Sequence, residues 1–347
     1  MLKESISASD YYDKFSNCSK IEKDVSNDEY EAPFSIYKFR NAKVFYNGVF
    51  ATEDFYPISD HYVVSDGIAE AEDVLSGKNP IECINLKDSE YISLLGKWKH
   101  NLWHWTFETL VYVIIAEAFG FKGKYIVKSD VFLKNKLETL TLLGIAPERI
   151  LVKNKEIYFL IDNVSVVEKL DFTDERFLLL LSIIREKFLK SIYADNLLNI
   201  PKKERKIYIS REKVKNSTND TVNGRYIYNE DEVWELLKNY GFEKIYMEDF
   251  SIKDQIKMAS ETSFLIGGHG SGILHSLFMP EKSKIIELFS PVYINFCSSK
   301  LPVKLLKHDY RMLLPQICET YPHGTYHNSP VEVDVEYLEI ILDNMYD

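Results

Sequence analysis

The feature that most constrains this fold is a regular alternation of strand-like and helix-like segments in the C-terminal half. Short apolar runs typical of buried strands alternate with stretches whose apolar residues recur every three or four positions. We predict strands at 206–210, 244–247, 263–267 and 284–288, and helices at 231–240, 252–260 and 272–279. Because strands and helices take turns along the chain, this order predicts an α/β layer with parallel strands.

The N-terminal half alternates less regularly. The pattern predicts short strands within 34–64, helices at 103–119, 133–143 and 173–194, and strands at 124–128, at 150–152 and within 157–167. Residues 1–30 are polar and irregular in pattern, and we expect an extension lying on the first domain. Pro201 and the basic residues after it form the best boundary. We therefore predict an α/β domain over 1–200, a second over 201–330, and a C-terminal helix within 331–347, with a ligand cleft between the domains.

Charge and composition restrict the class of protein. The net charge of −11 and a pI near 5.4 argue against nucleic-acid binding through phosphate neutralisation. The four cysteines lack the CxxC spacing of zinc sites, and we predict no metal. The polar N-terminus does not fit a signal peptide, and the most apolar run, residues 110–121, is too short to span a bilayer. We expect a soluble protein in a reducing compartment.

The strongest chemical signal is the segment Ile-Gly-Gly-His-Gly-Ser-Gly at 266–272, between a predicted strand and a predicted helix. Glycines there let the backbone approach a ligand, and the N–H groups at a helix start favour an anion such as a diphosphate. The donor-site candidates in it are Gly268, His269, Gly270, Ser271 and Gly272. A role in packing alone is the alternative. The spacing matches neither a dinucleotide fingerprint nor a P-loop.

Polar residues at predicted strand ends extend this candidate site. Arg211 follows the strand at 206–210 and could clamp phosphate oxygens, although a surface ion pair is the alternative. Arg225 and Asn229 come shortly afterwards. Glu287, near the end of the strand at 284–288, could accept the hydroxyls of a ribose, or it needs a structural partner if it is buried.

A third signal lies in the first domain, in Asn-Leu-Trp-His-Trp-Thr-Phe-Glu at 101–108. His104 and Glu108 are four residues apart, so a helix places them on one face, where they could orient a catalytic base or hold a sugar. A structural histidine among aromatic rings is the alternative. The chain has no Asp-x-Asp, HExxH or GxSxG motif, so neither a metal–diphosphate anchor nor hydrolytic chemistry is indicated.

Taken in order, these motifs resemble glycosyltransferase family 61. The resemblance runs through 101–108, Ile-Tyr-Ile-Ser-Arg at 207–211, Arg225 with Asn229, and 266–272, and ends at Glu287. It implies two Rossmann-like domains facing a cleft, the GT-B arrangement, and transfer from a nucleotide sugar with inversion at the anomeric carbon. Ser271 stands where the family usually has alanine, and His275 where asparagine is more typical.

The resemblance implies transfer from a UDP-sugar to a glycan hydroxyl in surface-polysaccharide or glycan synthesis, without a resident cofactor. The candidate bases are His104 and Glu108, with Asp249 and His269 as rivals, and the diphosphate would meet Arg211, Arg225 and the glycine segment. An epimerase of GT-B type and a non-catalytic nucleotide-sugar-binding module remain alternatives. The expected location is the cytoplasm, with peripheral attachment to the inner face of the membrane left open.

Overall fold

The computed structural model divides the chain into two compact units, Met1–Lys187 and Phe188–Asp347. The residues that the structure describes are 7–15, 18–28, 30–45, 48–58, 65–96, 102–154, 157–170, 174–194, 200, 204–213, 226–291, 297–317 and 330–346. The boundary expected at Pro201 lies outside these residues. So do residues 61–64, the end of the segment 34–64 in which we predict short strands. In the described part, no helix is long and apolar enough to cross a membrane.

Among the described residues, the first unit contains seven strands, five α-helices and most of a sixth. Its strands are β1 Cys18–Ser26, β2 Glu31–Val44, β3 Phe50–Ala51, β4 Glu82–Ser93, β5 Lys124–Lys128, β6 Ile150–Lys153 and β7 Ile157–Val167. Its helices are α1 Ala8–Lys14, α2 Ser65–Leu75, α3 Leu102–His104, α4 Leu110–Ala118, α5 Leu133–Leu142 and α6 Arg176–Ile192. The division between the units falls within α6.

The sheet of the first unit mixes two pairing modes. Its order is β1-β2-β7-β4-β5-β6, with β3 beside β2. Strands β7, β4, β5 and β6 pair in parallel, as the alternation predicts, whereas β1, β2, β3 and β7 pair antiparallel. The antiparallel pairing of the N-terminal strands was not predicted, because the short strands within 34–64 do not alternate with helices and their direction was left open.

The N-terminal residues are part of the sheet of the first unit. Residues 8–14 form a helix, and all nine residues of β1 pair with β2, so the prediction of an extension that only lies on the domain is wrong. The side chains of Cys18 and Val25 are the buried ones of β1, and the polar residues between them lie partly or fully in solvent. An edge strand with so few buried side chains has no alternating apolar pattern to detect.

The second unit is a five-stranded parallel sheet covered by helices. Its strands are β8 Arg205–Ile209, β9 Glu243–Ile245, β10 Thr262–Gly268, β11 Lys284–Leu288 and β12 Asp309–Leu313, with a separate pair β13 Gln316–Ile317 and β14 Val331–Glu332. Its α-helices are α7 Glu230–Asn239, α8 Ile252–Ser260, α9 Cys297–Leu306 and α10 Val335–Tyr346. The α/β class and the predicted strands and helices of this half are confirmed, apart from the form of one helix: residues Ser271–Phe278 make a 3-10 helix.

The strand order of this parallel sheet is β9-β8-β10-β11-β12. The chain runs outward from β8 to β9 and then returns to the other side of β8 to continue through β10. The order therefore reverses between β8 and β10. The C-terminal helix α10 belongs to the same core, since Leu338, Leu342 and Met345 pack in the cluster that holds Tyr208 and Ile266.

Candidate functional site

The reversal of strand order marks the candidate site of the second unit. In open parallel sheets, ligands bind outside the carboxyl ends of the strands at the point where the order reverses, because the two chain connections leave in opposite directions there. Here that point is the gap between the ends of β8 and β10. The residues that follow these two strands are Ser210 and Arg211 after β8, and His269 and Gly270 after β10.

The structure brings Arg211 and the glycine segment into contact. Gly270 has a φ of 150°, which side chains rarely adopt, and a methyl group in place of its hydrogen would lie 2.9 Å from Nη1 of Arg211. A glycine is needed here both for the backbone conformation and for the close approach of the guanidinium. Ser271 then begins the 3-10 helix, whose first N–H groups lie at the same end.

Glycines also bring the two strand ends together. A methyl group at Gly267 would lie 3.3 Å from Cβ of Ile209, and one at Gly272 would lie 3.2 Å from two carbons of the same side chain. The last residue of β8 therefore packs directly against the glycine segment. The packing role of these glycines and the approach of Arg211 are two parts of one arrangement.

The neighbours of Arg211 in the chain are held by a polar network. The Ser210 hydroxyl donates to the buried Glu230 carboxylate, which lies 3.3 Å from Nζ of Lys244. The Glu212 carboxylate accepts from Lys244 and from the Tyr246 hydroxyl, each at 2.9 Å. These contacts fix the backbone on both sides of Arg211, so the guanidinium stays at the strand end.

His269 sits on the other side of the same gap in a buried triad. Its Nδ1 lies 2.7 Å from Oε1 of Glu287, and the Tyr310 hydroxyl donates to Oε2 of Glu287 at 2.9 Å. The His269 side chain is 5% exposed and that of Glu287 0%. The ring of Phe289 stacks on the imidazole with centroids 4.3 Å apart. Glu287 is therefore placed behind His269, and both of its oxygens have protein partners.

A small cavity adjoins this triad at the ends of β10 and β11. It is lined by Ile227, Gly268, His269, Leu288, Ser290 and Val331. The hydroxyl of Ser290 is buried and has no hydrogen-bond partner among the described residues. His269 thus borders a small, mostly apolar cavity beside the strand ends.

The 3-10 helix after the glycine segment carries the buried His275. Burial lowers the pKa of His275 to about 4, and Nδ1 has no partner within the described residues. The imidazole is therefore neutral near pH 7 and acts as a core side chain. His308, also buried, donates from Nε2 to the carbonyl of Ser276 at 3.0 Å and ties this helix to the start of β12.

In the first unit, His104 and Glu108 do meet, as their spacing predicts. Nδ1 of His104 lies 2.8 Å from Oε1 of Glu108, and the side chains are 27% and 6% exposed. The helix runs from β4 to the parallel strand β5, so it begins at the carboxyl edge of this part of the sheet. His104 is therefore at the sheet edge where ligands bind in parallel architectures.

The backbone that carries Glu108 is a π-helix over Trp105–Thr109, in which the Leu110 N–H donates to the Trp105 carbonyl. Such single wide turns are rare and occur often at functional sites. The indole N–H of Trp105 donates to the Thr139 hydroxyl at 2.8 Å and anchors the turn in the core. The helix predicted over 103–119 is confirmed in extent, but this wide turn within it was not foreseen.

The other predicted site residues have separate environments. Asp249 lies at the end of a short 3-10 turn, half-exposed, and pairs with Lys213. Both ends of the Asn229 amide bond the backbone of Val333, at 2.8 and 3.0 Å, so this side chain ties α7 to the C-terminal segment. Arg225 lies outside the described residues. These contacts of Asp249 and Asn229 do not involve the glycine segment, and their roles as site residues stay predictions.

Tyr310 is the site residue that the sequence did not suggest. It lies in β12, a strand we did not predict, because the segment after the strand at 284–288 has no clear alternation with helices. The sequence signal that could have revealed this strand is a short run of apolar residues within 309–314, next to His308.

Among the described residues, no group of three or more histidine, cysteine or acidic side chains could hold a metal ion.

Comparison with known proteins identifies a family for this chain. The model of the family described as Glycosyltransferase 61 matches residues 102–286, more than half of the chain. The match includes His104, Glu108, Arg211 and the glycine segment, and it ends one residue before Glu287. The mouse (Mus musculus) EGF domain-specific O-linked N-acetylglucosamine transferase is 31% identical over 71 residues, which are 19% of this chain and 14% of that protein. The chain thus aligns with only a small part of that relative.

Proposed function

The chain belongs to the glycosyltransferase 61 family, which makes it a glycosyltransferase, and we propose that it moves a sugar from a nucleotide donor to a glycan hydroxyl with inversion. The observation that carries the proposal is the contact between Arg211 and Gly270 where the strand order reverses. A cation and a glycine backbone at the carboxyl ends of parallel strands suit a diphosphate group.

The donor diphosphate would bind between Arg211 and the N–H groups of residues 270–272. Arg211 is half-buried, so its charge is less screened than that of a surface arginine. When the bond between the anomeric carbon and the phosphate oxygen breaks, the electron pair leaves with the nucleoside diphosphate. Arg211 and the backbone N–H groups stabilise that charge, and this part of the proposal requires no metal and no resident cofactor.

The acceptor would be activated by His104. In this proposal Nδ1–H of His104 donates a hydrogen bond to the buried Glu108 carboxylate. Nε2 then takes the proton of the acceptor hydroxyl as the hydroxyl oxygen attacks the anomeric carbon. Attack from the side opposite the leaving diphosphate inverts the configuration. The GT-B arrangement implied by the family, which would bring His104 to the donor, is part of this proposal.

In this proposal Glu287 is given a different role from the ribose contact suggested by the sequence. Its carboxylate is fully buried and has His269 and Tyr310 as partners, so we assign it to holding His269. Asp249 is the weaker candidate for the base, because it is half-exposed and paired with Lys213.

The first donor to test is UDP-N-acetylglucosamine, since the mouse relative is named as an N-acetylglucosamine transferase. Synthesis of a surface polysaccharide or another glycan, at the cytoplasmic side of a membrane, is the setting implied by the family resemblance. Its acceptor would be a hydroxyl of a growing glycan chain.

The test is release of UDP from a panel of UDP-sugars, with and without a mixture of glycan acceptors and with and without a chelator. The proposal expects release that depends on an acceptor, is insensitive to the chelator and is lost in Arg211→Ala. Conversion of the donor to an isomer without any acceptor would establish an epimerase instead. Binding without turnover under all these conditions would establish a binding module.

A further inference from the structure

Three neighbouring parallel strands supply one hydrogen-bonded line that ends at the donor site. His269 follows β10, Glu287 lies in β11 and Tyr310 in β12. The Tyr310 hydroxyl donates to Oε2 of Glu287 at 2.9 Å, and Oε1 of Glu287 lies 2.7 Å from Nδ1 of His269. The line therefore runs from a half-buried tyrosine, through a carboxylate with no solvent exposure, to the histidine beside Gly270.

This arrangement determines where the proton of His269 lies. An ionised carboxylate can only accept hydrogen bonds, so the nitrogen next to Glu287 must carry a hydrogen. In a neutral imidazole that assigns the hydrogen to Nδ1, and Nε2 becomes the acceptor. Because a carboxylate without solvent needs donors for both oxygens, the Tyr310 hydroxyl supports the carboxylate that sets this tautomer.

The ring plane of His269 is held as well. Phe289 stacks on the imidazole with an interplanar angle of 25°. A stacked ring below and a fixed hydrogen bond at Nδ1 leave little rotation about the side-chain bonds. A histidine that served packing alone would not need its orientation set from three strands at the carboxyl edge of the sheet.

We propose that Tyr310 is a positioning residue for glycosyl transfer. Acting through Glu287, it holds the imidazole of His269 in the Nδ1–H form and in one orientation beside the glycine segment. This inference rests on the proposed function. Neither Glu287 nor Tyr310 lies within the segment matched by the family model.

The first experiment reads the tautomer directly in the wild-type chain by long-range ¹H–¹⁵N correlation on ¹⁵N-histidine-labelled protein. The eight histidines are distinguished by assigning His269 through its loss in His269→Gln. The inference expects the Nδ1–H form for neutral His269. The Nε2–H form would overturn it. This measurement needs no substrate, so its outcome is separate from that of the proposed function.

The second experiment replaces Tyr310 by phenylalanine, which keeps the ring and removes the hydroxyl. With UDP-N-acetylglucosamine as donor, we expect kcat to fall about 10- to 100-fold, the loss found when hydrogen-bond partners of metal-binding histidines are removed. KM for the donor should change less than about twofold. The loss should disappear when Tyr310→Phe is made in a Glu287→Gln background, because the hydroxyl then has no carboxylate to support.

Tyr240→Phe is the matched control. It removes a 2.6 Å hydrogen bond from a tyrosine to the Asp343 carboxylate in the same unit, away from the strand ends. We expect its kcat to equal that of the wild type. Equal kcat values for Tyr310→Phe and Tyr240→Phe, with both proteins folded, would overturn the inference. If Tyr310→Phe does not fold, the Nε2–H form in the wild type would still overturn the inference.

Discussion

The two units each contain a histidine whose Nδ1 lies next to a buried glutamate. The two pairs differ in the secondary structure that carries them and in the exposure of the histidine. In the first unit, His104 and Glu108 are four residues apart on one helix, and about a quarter of the imidazole is exposed. In the second, His269 and Glu287 come from neighbouring strands, and both are almost fully buried. The Glu287 carboxylate also accepts from Tyr310.

The difference separates two chemical roles. A partly exposed imidazole backed by a buried carboxylate can exchange a proton with a bound hydroxyl, as a general base must. A buried imidazole that is held by Glu287 and stacked on Phe289 is suited to keeping one orientation. For that reason we assign proton transfer to His104, and a positioning role beside the glycine segment to His269.

The largest expected effect comes from neutralising the carboxylate behind His104. Glu108→Gln should lower kcat by about 10²- to 10⁴-fold, the usual contribution of general base catalysis, with little change in donor KM. Steady-state kinetics with UDP-N-acetylglucosamine would measure it. Asp249→Asn is the comparison, and we expect it to keep kcat within about threefold. The reverse result, with Asp249→Asn inactive and Glu108→Gln active, would contradict the assignment of proton transfer to His104.

Removing the cation of the second unit should have the next largest effect. Arg211→Ala should lower kcat/KM for the donor by about 10²- to 10³-fold, because the charge of the leaving diphosphate loses its partner. Arg205→Ala, at the opposite end of the same strand β8 and paired with Glu243, is the matched control. It should change kcat/KM less than threefold. Equal losses in both variants would show that strand β8 matters for folding rather than for the donor.

Acid should weaken the second unit through His275. Its pKa is about 4 in the folded chain against an ordinary 6.5, so the unfolded chain binds more protons between these values. The free energy of unfolding therefore falls as the pH drops through this range, by about 2 kcal/mol at pH 5 relative to pH 7.5.

Urea unfolding at both pH values measures this effect. His275→Asn, which installs the residue more typical of the family, should reduce the difference between the two pH values by most of that amount. An unchanged difference in His275→Asn would mean that other groups cause the acid sensitivity.

The smallest effect tests the contact that carries the proposed donor site. Gly270→Ala places a methyl group against Nη1 of Arg211 and should weaken donor binding about tenfold. Gly241→Ala is the control, since Gly241 also has a positive φ, 78°, but a methyl group there has nothing within 4 Å. Both variants strain the backbone, but only Gly270→Ala places a methyl group beside Arg211. Isothermal titration should therefore give weaker UDP binding for Gly270→Ala than for Gly241→Ala. Equal affinities would argue against binding of the diphosphate by Arg211.

The contrast between the two histidine–glutamate pairs also explains which features the sequence could predict. His104 and Glu108 meet because four residues make one helical turn, which a periodic pattern reveals. The parallel sheet of the second unit was predicted because its buried strands are short apolar runs between amphipathic helices. The triad at Glu287 depends on which strands become neighbours, and spacing along the chain does not encode that. Strand β1 was missed because its polar side chains leave no alternation, and the wide turn at Trp105–Thr109 depends on packing against Thr139.

The central claim is that a nucleoside diphosphate binds at the carboxyl ends of β8 and β10. Thermal unfolding of the wild type with UDP and a panel of UDP-sugars tests it most directly, because a ligand that binds only the folded chain raises the midpoint. We predict a clear rise with UDP, unchanged by a chelator and lost in Arg211→Ala, while Arg205→Ala keeps it. No rise with any nucleotide in the folded wild type, or an equal rise in Arg211→Ala, would contradict the account.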